Sequence, residues 1–313
     1  MDGSPWWVDK TQQESSHPLE ELPLHSAMSP LPLDDTLYKE KDMEFIKQET
    51  GIHDPDALKD HVLRIQKKAY ALHSFPCIRG FRFARTIISQ LPAYQQALKV
   101  GKERDGAILL DLGCCCGSDI RKIARDGYPT QNLLASDIFE GFWSIGHELF
   151  MSTPTTFPVI FLAGDVFDPA FLEPSTPFMT PSEIKDLPPP MASLSSLTPL
   201  RGYVSVIHIS AFFHLFTEEQ QQHIARCLAG LLSPLPGSLI FGRHIGHSNA
   251  GSEWPLRTGM DGQKMFCHSP ESWVELWEGV FPKGSINVEV ELEEAATDAG
   301  QIRDWLVWSV SRI

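Results

Sequence analysis

Three aspartates, each at the end of a short apolar run, are the side chains of this sequence best spaced to act together. Asp111 lies at the end of AILLDL, Asp137 closes NLLASD and Asp165 follows VIFLAG. If the runs are neighbouring strands, the three carboxylates share one sheet edge. An acid at Asp137 can then accept hydrogen bonds from both hydroxyls of a ribose, and one at Asp165 can hold an adenine amino group. Between the first two acids runs LGCCCGSD, residues 112–119. Gly113 and Gly117 bound a turn that brings backbone close to a ligand, and the helix after it offers free N–H groups. Ser118 or Asp119 is the expected cap of that helix and Gly127 its stop. Cys114, Cys115 and Cys116 are adjacent and point different ways, whereas zinc needs ligands converging from separated positions. They read as small packing residues, and no metal is expected.

Histidines supply the remaining chemistry. His208 ends the fourth apolar run, VSVIHI, and so belongs to the same edge, where it is expected to line the cofactor or substrate pocket. His214 is the second candidate base, although Phe212, Phe213 and Phe216 around it suggest a buried ring. His244 and His247 follow the fifth run on GRHIGHSNAG and are placed to face a substrate.

The elements that must position these groups are legible in period and punctuation. Runs at 107–112, 132–136, 159–163, 204–209 and 238–242 read as buried strands, with helices between most of them, which implies a largely parallel sheet. INVEVEL at 286–292 alternates like a half-exposed strand, and WLVWSVSRI at 305–313 reads as its antiparallel partner. Thr217-Glu218-Glu219-Gln220 and Ser269-Pro270-Glu271 open amphipathic helices. Asp54-Pro55-Asp56 opens another, carrying Leu58, Val62, Ile65 and Ala69, and a further helix is expected over 79–90. Residues 1–33 read as a loosely ordered arm, with Trp6 and Trp7 as anchors. Residues 34–106 read as a helical cap and 107–313 as the catalytic domain, with 169–200 a long inserted loop or lid.

Here a resemblance enters. LLDLGCCCG, ASDI and AGDV resemble the cofactor motifs of class I S-adenosylmethionine-dependent methyltransferases. YALHSFPCIRGFRF, FWSIGHELF, HISAFFHLFTEEQQ and MFCHSPESW are similar to fungal small-molecule methyltransferases, including those of meroterpenoid pathways. The resemblance implies an α/β, Rossmann-like, seven-stranded sheet of order 3-2-1-4-5-7-6 with the N-terminal helices as cap. It implies S-adenosyl-L-methionine as cofactor, bound through Asp111, Gly113, Cys114, Gly117, Asp137, Ile138, Asp165, Val166 and His208. It also makes His268 and Trp273 pocket walls; His244, by its place after the fifth run, and Tyr38 and Phe45, by theirs in the N-terminal helices, are the further pocket and lid candidates. Cys115 stands where the common pattern has glycine. The expected activity is methylation of a small, fairly apolar metabolite, at oxygen first. The alternatives are a protein or nucleic-acid methyltransferase, or a regulatory protein without turnover.

Composition narrows the partners. A net charge of −14, from 26 basic against 40 acidic residues, and the lack of a basic stripe argue against nucleic acid. No apolar run approaches the roughly 18 residues of a membrane span. The first residues lack the charged and apolar regions of a secretory signal, so a reducing, cytoplasmic setting is expected. A homodimer is left open.

Overall fold

The apolar runs form strands because each is short and buried on both faces, which suits the middle of a parallel sheet. A computed structural model describes residues 31–255, 264–296 and 302–313. The first 30 residues of the expected arm, with Trp6 and Trp7, lie outside them. β1 (Ile108–Leu112), buried throughout, pairs in parallel with β2 (Leu133–Asp137) on one side and β4 (Val204–His208) on the other. β3 (Ile160–Ala163) extends the sheet beyond β2, and β5 (Leu239–Ile245) beyond β4. β9 (Ile302–Arg312) runs antiparallel between β5 and β8 (Ile286–Ala296). The order β3-β2-β1-β4-β5-β9-β8 is the expected one. Its connections reverse direction between β1 and β4, where open α/β sheets bind ligands.

Alternation along β1 divides the interior. Ile108, Leu110 and Leu112 enter a core with α7 (Glu218–Leu231) and α8 (Pro270–Val280), whereas Leu109 enters the opposite one with α4 (Tyr94–Glu103) and α5 (Ser118–Arg125). α7 and α8 both begin at capping boxes, on Thr217 and Ser269. A third core joins α1 (Glu44–Thr50) and α2 (Pro55–Leu72) to α6 (Glu140–Leu149) and to Cys116. Asp54 caps α2 by accepting from Ala57 N at 2.8 Å, and Leu58, Val62, Ile65 and Ala69 are buried as expected.

One expectation needs correction. No continuous helix covers 79–90: α3 (Pro76–Arg79) is one turn, followed by single 3-10 turns at 82–84 and 88–90. Tertiary bonds take the backbone groups a helix would use. Gln66 Nε2 donates to Ile78 O and Arg79 O, Ser118 Oγ donates to Phe83 O, and Asp119 Oδ1 accepts from Ile87 N and Ile88 N. Beyond β5 the chain forms two further short strands. β6 (Gly251–Pro255) and β7 (Lys264–Cys267) form a small antiparallel pair, too short for alternation to show, and 256–263 between them lie outside the described residues. Within the expected 169–200 loop, SEIKDL forms a 3-10 turn at Pro181–Glu183. The 169–200 segment is tied down, since Phe171 O accepts from Leu197 N and Thr198 N, and Arg312 Nη2 donates to Phe178 O. Among the described residues no helix is long and apolar enough to cross a membrane.

Candidate active site

The turn after β1 is held open by three left-handed residues, Gly113 (φ 73°), Cys115 (φ 49°) and Gly117 (φ 73°). Glycine adopts this conformation freely, whereas cysteine costs about 1–2 kcal/mol there. Bonds to β2 keep the turn in place. Gly113 N and Cys114 N both donate to Ser136 O, at 2.8 and 3.1 Å, and Cys115 N donates to Asp137 Oδ2 at 2.9 Å. Gly117 itself caps α5; the expected caps do not serve. Ser118 and Asp119 turn instead to the 83–88 segment, binding the N-terminal layer to the turn.

The cysteines pack. Cys114 and Cys116 are buried, Cys115 is half-buried, and all six thiols of the chain are free. The hydrogen bond to Cys116, together with burial, pushes the Cys115 thiol up, and burial with Asp137 nearby does the same for Cys114. Protonated thiols are poor ligands and poor nucleophiles. Among the described residues no cluster of His, Cys, Asp or Glu could hold a metal ion.

Asp137 ends β2 with its carboxylate bonded to Cys115 N and, through Oδ1, to Phe139 N at 3.0 Å. Burial lifts it to about 6, against the pull of those two amides. Each oxygen keeps a second lone pair for a ligand hydroxyl. Asp165 stands two residues beyond β3, and its Oδ1 accepts from Phe167 N at 2.9 Å. Gly164 N donates to Asp137 O at 3.1 Å, so these two strand ends adjoin. Ile138 is half-buried beside them. Val166 sends its side chain into the core, which leaves its backbone for a ligand.

Asp111 and His208 form the buried centre. His208 Nδ1 lies 2.7 Å from Asp111 Oδ1, and His208 Nε2 lies 2.9 Å from Ser210 Oγ. Burial pulls His208 down, but the charge of Asp111 and its hydrogen bond outweigh it, so the imidazole titrates above its usual range. Asp111 Oδ2 is buried with no partner among the described residues. The sequence reading missed Ser210 as a member of this chain, because its reach to His208 depends on the turn at Ala211 (φ 54°). That turn lies against β5: a Cβ on Gly242 would stand 1.8 Å from Ile209 O. Phe212, next along, packs on Gly113, where a Cβ would meet its ring at 2.7 Å.

A second group gathers beyond β4 and β5. Trp273 has its ring centre 4.9 Å from Phe213, 4.5 Å from His244 and 5.2 Å from His268. His214 is close enough for its charge to push His244 down further. Burial lowers all three imidazoles, His214 to about 3 and His268 to about 4. They are neutral at ordinary pH, and His214 is too weak a base to collect a proton there. Tyr38 is not in this group. It packs edge-on to Phe81 at 5.7 Å, in the layer over the cysteine turn. His247 is half-buried on the turn after β5 and accepts from Asn249 N. Arg82, part of YALHSFPCIRGFRF but given no role in the sequence, lies 4.4 Å over Trp305 of β9. The 76–85 segment therefore reaches from the cysteine turn to the far end of the sheet edge.

The residues present fit the expected cofactor. An orphaned carboxylate oxygen and an acid with spare lone pairs stand beside a turn opened by left-handed glycines, at the switch point of the sheet. Comparison with known proteins agrees. The family model for the meroterpenoid methyltransferase N-terminal domain matches residues 32–84. The O-methyltransferase phiE of Fungal sp. is 31% identical over 243 residues, 77% of this chain and 71% of that protein. Methyltransferase ausD of Aspergillus calidoustus is 28% identical over 253 residues, 81% of each chain. The asnovolin E/chermesin D methyltransferase nvfJ of Aspergillus novofumigatus is 30% identical over 222 residues, 71% of this chain and 69% of that protein. With the seven-stranded sheet, the cysteine turn and these relatives together, the chain belongs to the fungal secondary-metabolite methyltransferases that depend on S-adenosylmethionine.

Proposed function

We propose that the chain methylates an oxygen of a small, fairly apolar metabolite. The observation that carries this is the aromatic group of Phe213, His244, His268 and Trp273, neutral and buried, beside the strand ends that carry the cofactor residues. An apolar acceptor with few polar atoms suits such a wall, whereas a peptide or nucleic acid suits an open, charged groove. The name of phiE, an O-methyltransferase, supports oxygen as the acceptor atom.

When bound, the cofactor supplies an activated methyl carbon on a sulfonium, so the protein must bind, align and exclude water. We assign the ribose hydroxyls to Asp137, the adenine amino group to Asp165, and the adjoining contacts to Ile138 and the Val166 backbone. Gly113, Cys114 and Gly117 form the cradle, and Asp111 Oδ2 awaits a donor. His208, raised by Asp111, accepts the acceptor's proton through the Ser210 hydroxyl; a carboxylate acceptor would not need it. The 34–106 cap, anchored by Asp119 and by Arg82 on Trp305, keeps water from the 107–313 domain. Six free thiols support a reducing, cytosolic setting.

The test is incubation with methyl-13C cofactor and a fungal metabolite extract. A methoxy or methyl-ester carbon in the organic phase is the expected product. An N-methyl or C-methyl carbon refutes oxygen as the target. Label on protein alone favours a protein methyltransferase, and no label anywhere a protein without turnover.

A further inference from the structure

Ser210 Oγ, the two nitrogens of His208 and Asp111 Oδ1 make one chain of hydrogen bonds, with contacts of 2.9 and 2.7 Å. Asp111 acts on His208 as a negative charge. A carboxylate only accepts, so His208 Nδ1 carries the hydrogen of that contact, and Nε2 of the neutral ring is a lone pair. Ser210 Oγ has two partners among the described residues. Arg243 N donates to it at 3.3 Å, which leaves His208 Nε2 as the acceptor for the hydroxyl hydrogen. A hydroxyl oxygen has two lone pairs; one takes the Arg243 amide and the other stays free.

The serine is both held and reachable. Ala211 turns the chain left-handed (φ 54°), and its N donates to Arg243 O at 2.6 Å, so the segment after β4 is pinned to β5. Asp111 and His208 are each 2% exposed, whereas Ser210 keeps part of its surface in solvent. A hydroxyl set on a base, with the base oriented by a buried carboxylate, is the arrangement that makes an alcohol nucleophilic on any fold. Methyl transfer needs no such nucleophile, because a relay only passes a proton.

We propose that Ser210 is a nucleophile that takes an acyl group from an activated ester, a reactivity separate from methyl transfer. The free lone pair of Oγ bonds to the carbonyl carbon while the hydroxyl proton passes to His208 Nε2. The bond from that carbon to the leaving oxygen then breaks, and the leaving phenoxide or alkoxide takes the proton from Nε2. The products are an ester on Ser210 and a neutral phenol or alcohol, with nothing oxidised or reduced. Ser210 and His208 handle the reacting atoms. Asp111 is a positioning residue and acts through His208.

The test treats full-length protein with p-nitrophenyl acetate, following p-nitrophenol release and mapping acetyl groups by peptide mass spectrometry. Ser210 should be acetylated at least about a hundredfold faster than the other serines, the scale of general-base assistance. The rate should rise with pH along the titration of His208, read by NMR in the same protein, and level off once the ring is neutral. That titration belongs to a ring raised by Asp111 and Asp119 and lowered by burial and by Arg243. Ser210→Ala should remove the fast phase of p-nitrophenol release, and Ser210→Cys should keep it, with a thioester as product. Asp111→Asn should slow acetylation at Ser210 at least about tenfold, through a misoriented base. Should a variant misfold, the wild-type map and pH profile still decide. Acetyl groups spread evenly over the serines, or confined to lysine and cysteine, overturn the nucleophile. So does a rate at Ser210 that ignores the titration of His208. No methyl donor enters the readout, so the outcome is independent of the methylation test.

Discussion

Asp111 and His208 stand opposite each other in register across the β1–β4 pair, with Asp111 Oδ1 2.7 Å from His208 Nδ1 and both side chains buried. Neighbouring strands thus bring together residues that are 97 apart in sequence. The contact also ties the imidazole to the strand that leads into the cofactor turn. Because the folded pKa of His208 lies above the usual 6.5, its contribution is fully present below 6.5 and is lost as pH rises through the folded value. Asp111→Asn should remove that dependence and return His208 toward or below 6.5. Titration of His208 by NMR checks it, and an unchanged His208 in the variant would refute the coupling.

Asp137→Ala should weaken S-adenosylhomocysteine binding by about 1.5–3 kcal/mol, through lost charge-assisted bonds to the ribose. In the wild type, affinity should also fall as pH drops through about 6, where the carboxyl takes up a proton and one lone-pair site is lost. Calorimetry across pH 5 to 8 reads both (about three units of range, centred near that value). Unchanged affinity in the variant would remove Asp137 from the ribose site.

Cys115 tests the turn. Glycine would relieve a left-handed backbone costing about 1–2 kcal/mol and give back part of it as unfolded-state entropy. Cys115→Gly should therefore be neutral or up to about 1 kcal/mol more stable, while the β-branched Cys115→Val should lose at least about 1 kcal/mol. Urea unfolding measures both. Purified wild type should carry no stoichiometric zinc, and chelator should leave cofactor binding intact; one tightly held equivalent would overturn the packing account of the three cysteines.

Asp119 tests the anchoring of the cap. Asp119→Ala leaves Ile87 N and Ile88 N without their acceptor and should cost about 2–4 kcal/mol. Asp119→Asn keeps one acceptor oxygen and should cost roughly half as much. Hydrogen exchange should show the loss concentrated at residues 80–90. Uniform loosening of the whole chain would mean that Asp119 does not act through this segment.

His214 separates the two candidate bases. Burial, with Arg82 adding to it, holds His214 down to about 3, so the folded chain refuses a proton that the unfolded chain accepts below 6.5. Stability from this group is present above 6.5 and is lost as pH falls toward the folded value, with a slope of about 1.4 kcal/mol per pH unit. His214→Phe should match wild type near pH 7 and become the more stable of the two as pH falls below 6.5. It should also retain methyl transfer. Loss of turnover in a folded, cofactor-binding variant would restore His214 as a catalytic residue.

The strands, the cysteine turn and the three strand-end acids were legible in the residues, because they rest on local causes, whereas the order of the sheet followed only from the family resemblance. Apolar runs too short for helices, glycines at a turn and capping residues each act within a few positions of themselves. The helix expected over 79–90 failed for the opposite reason: Asp119 and Ser118 claim its backbone from another element, and no local preference records that. The same holds for the site. His208, His214, His244 and His268 were visible as candidates, but one motif-like spacing could not say which are charged. Tertiary structure decided it by giving His208 a buried carboxylate and burying the other three without one, His244 and His268 against the Trp273 ring. Proton affinity depends on what a ring is packed against, and that is a property of the fold.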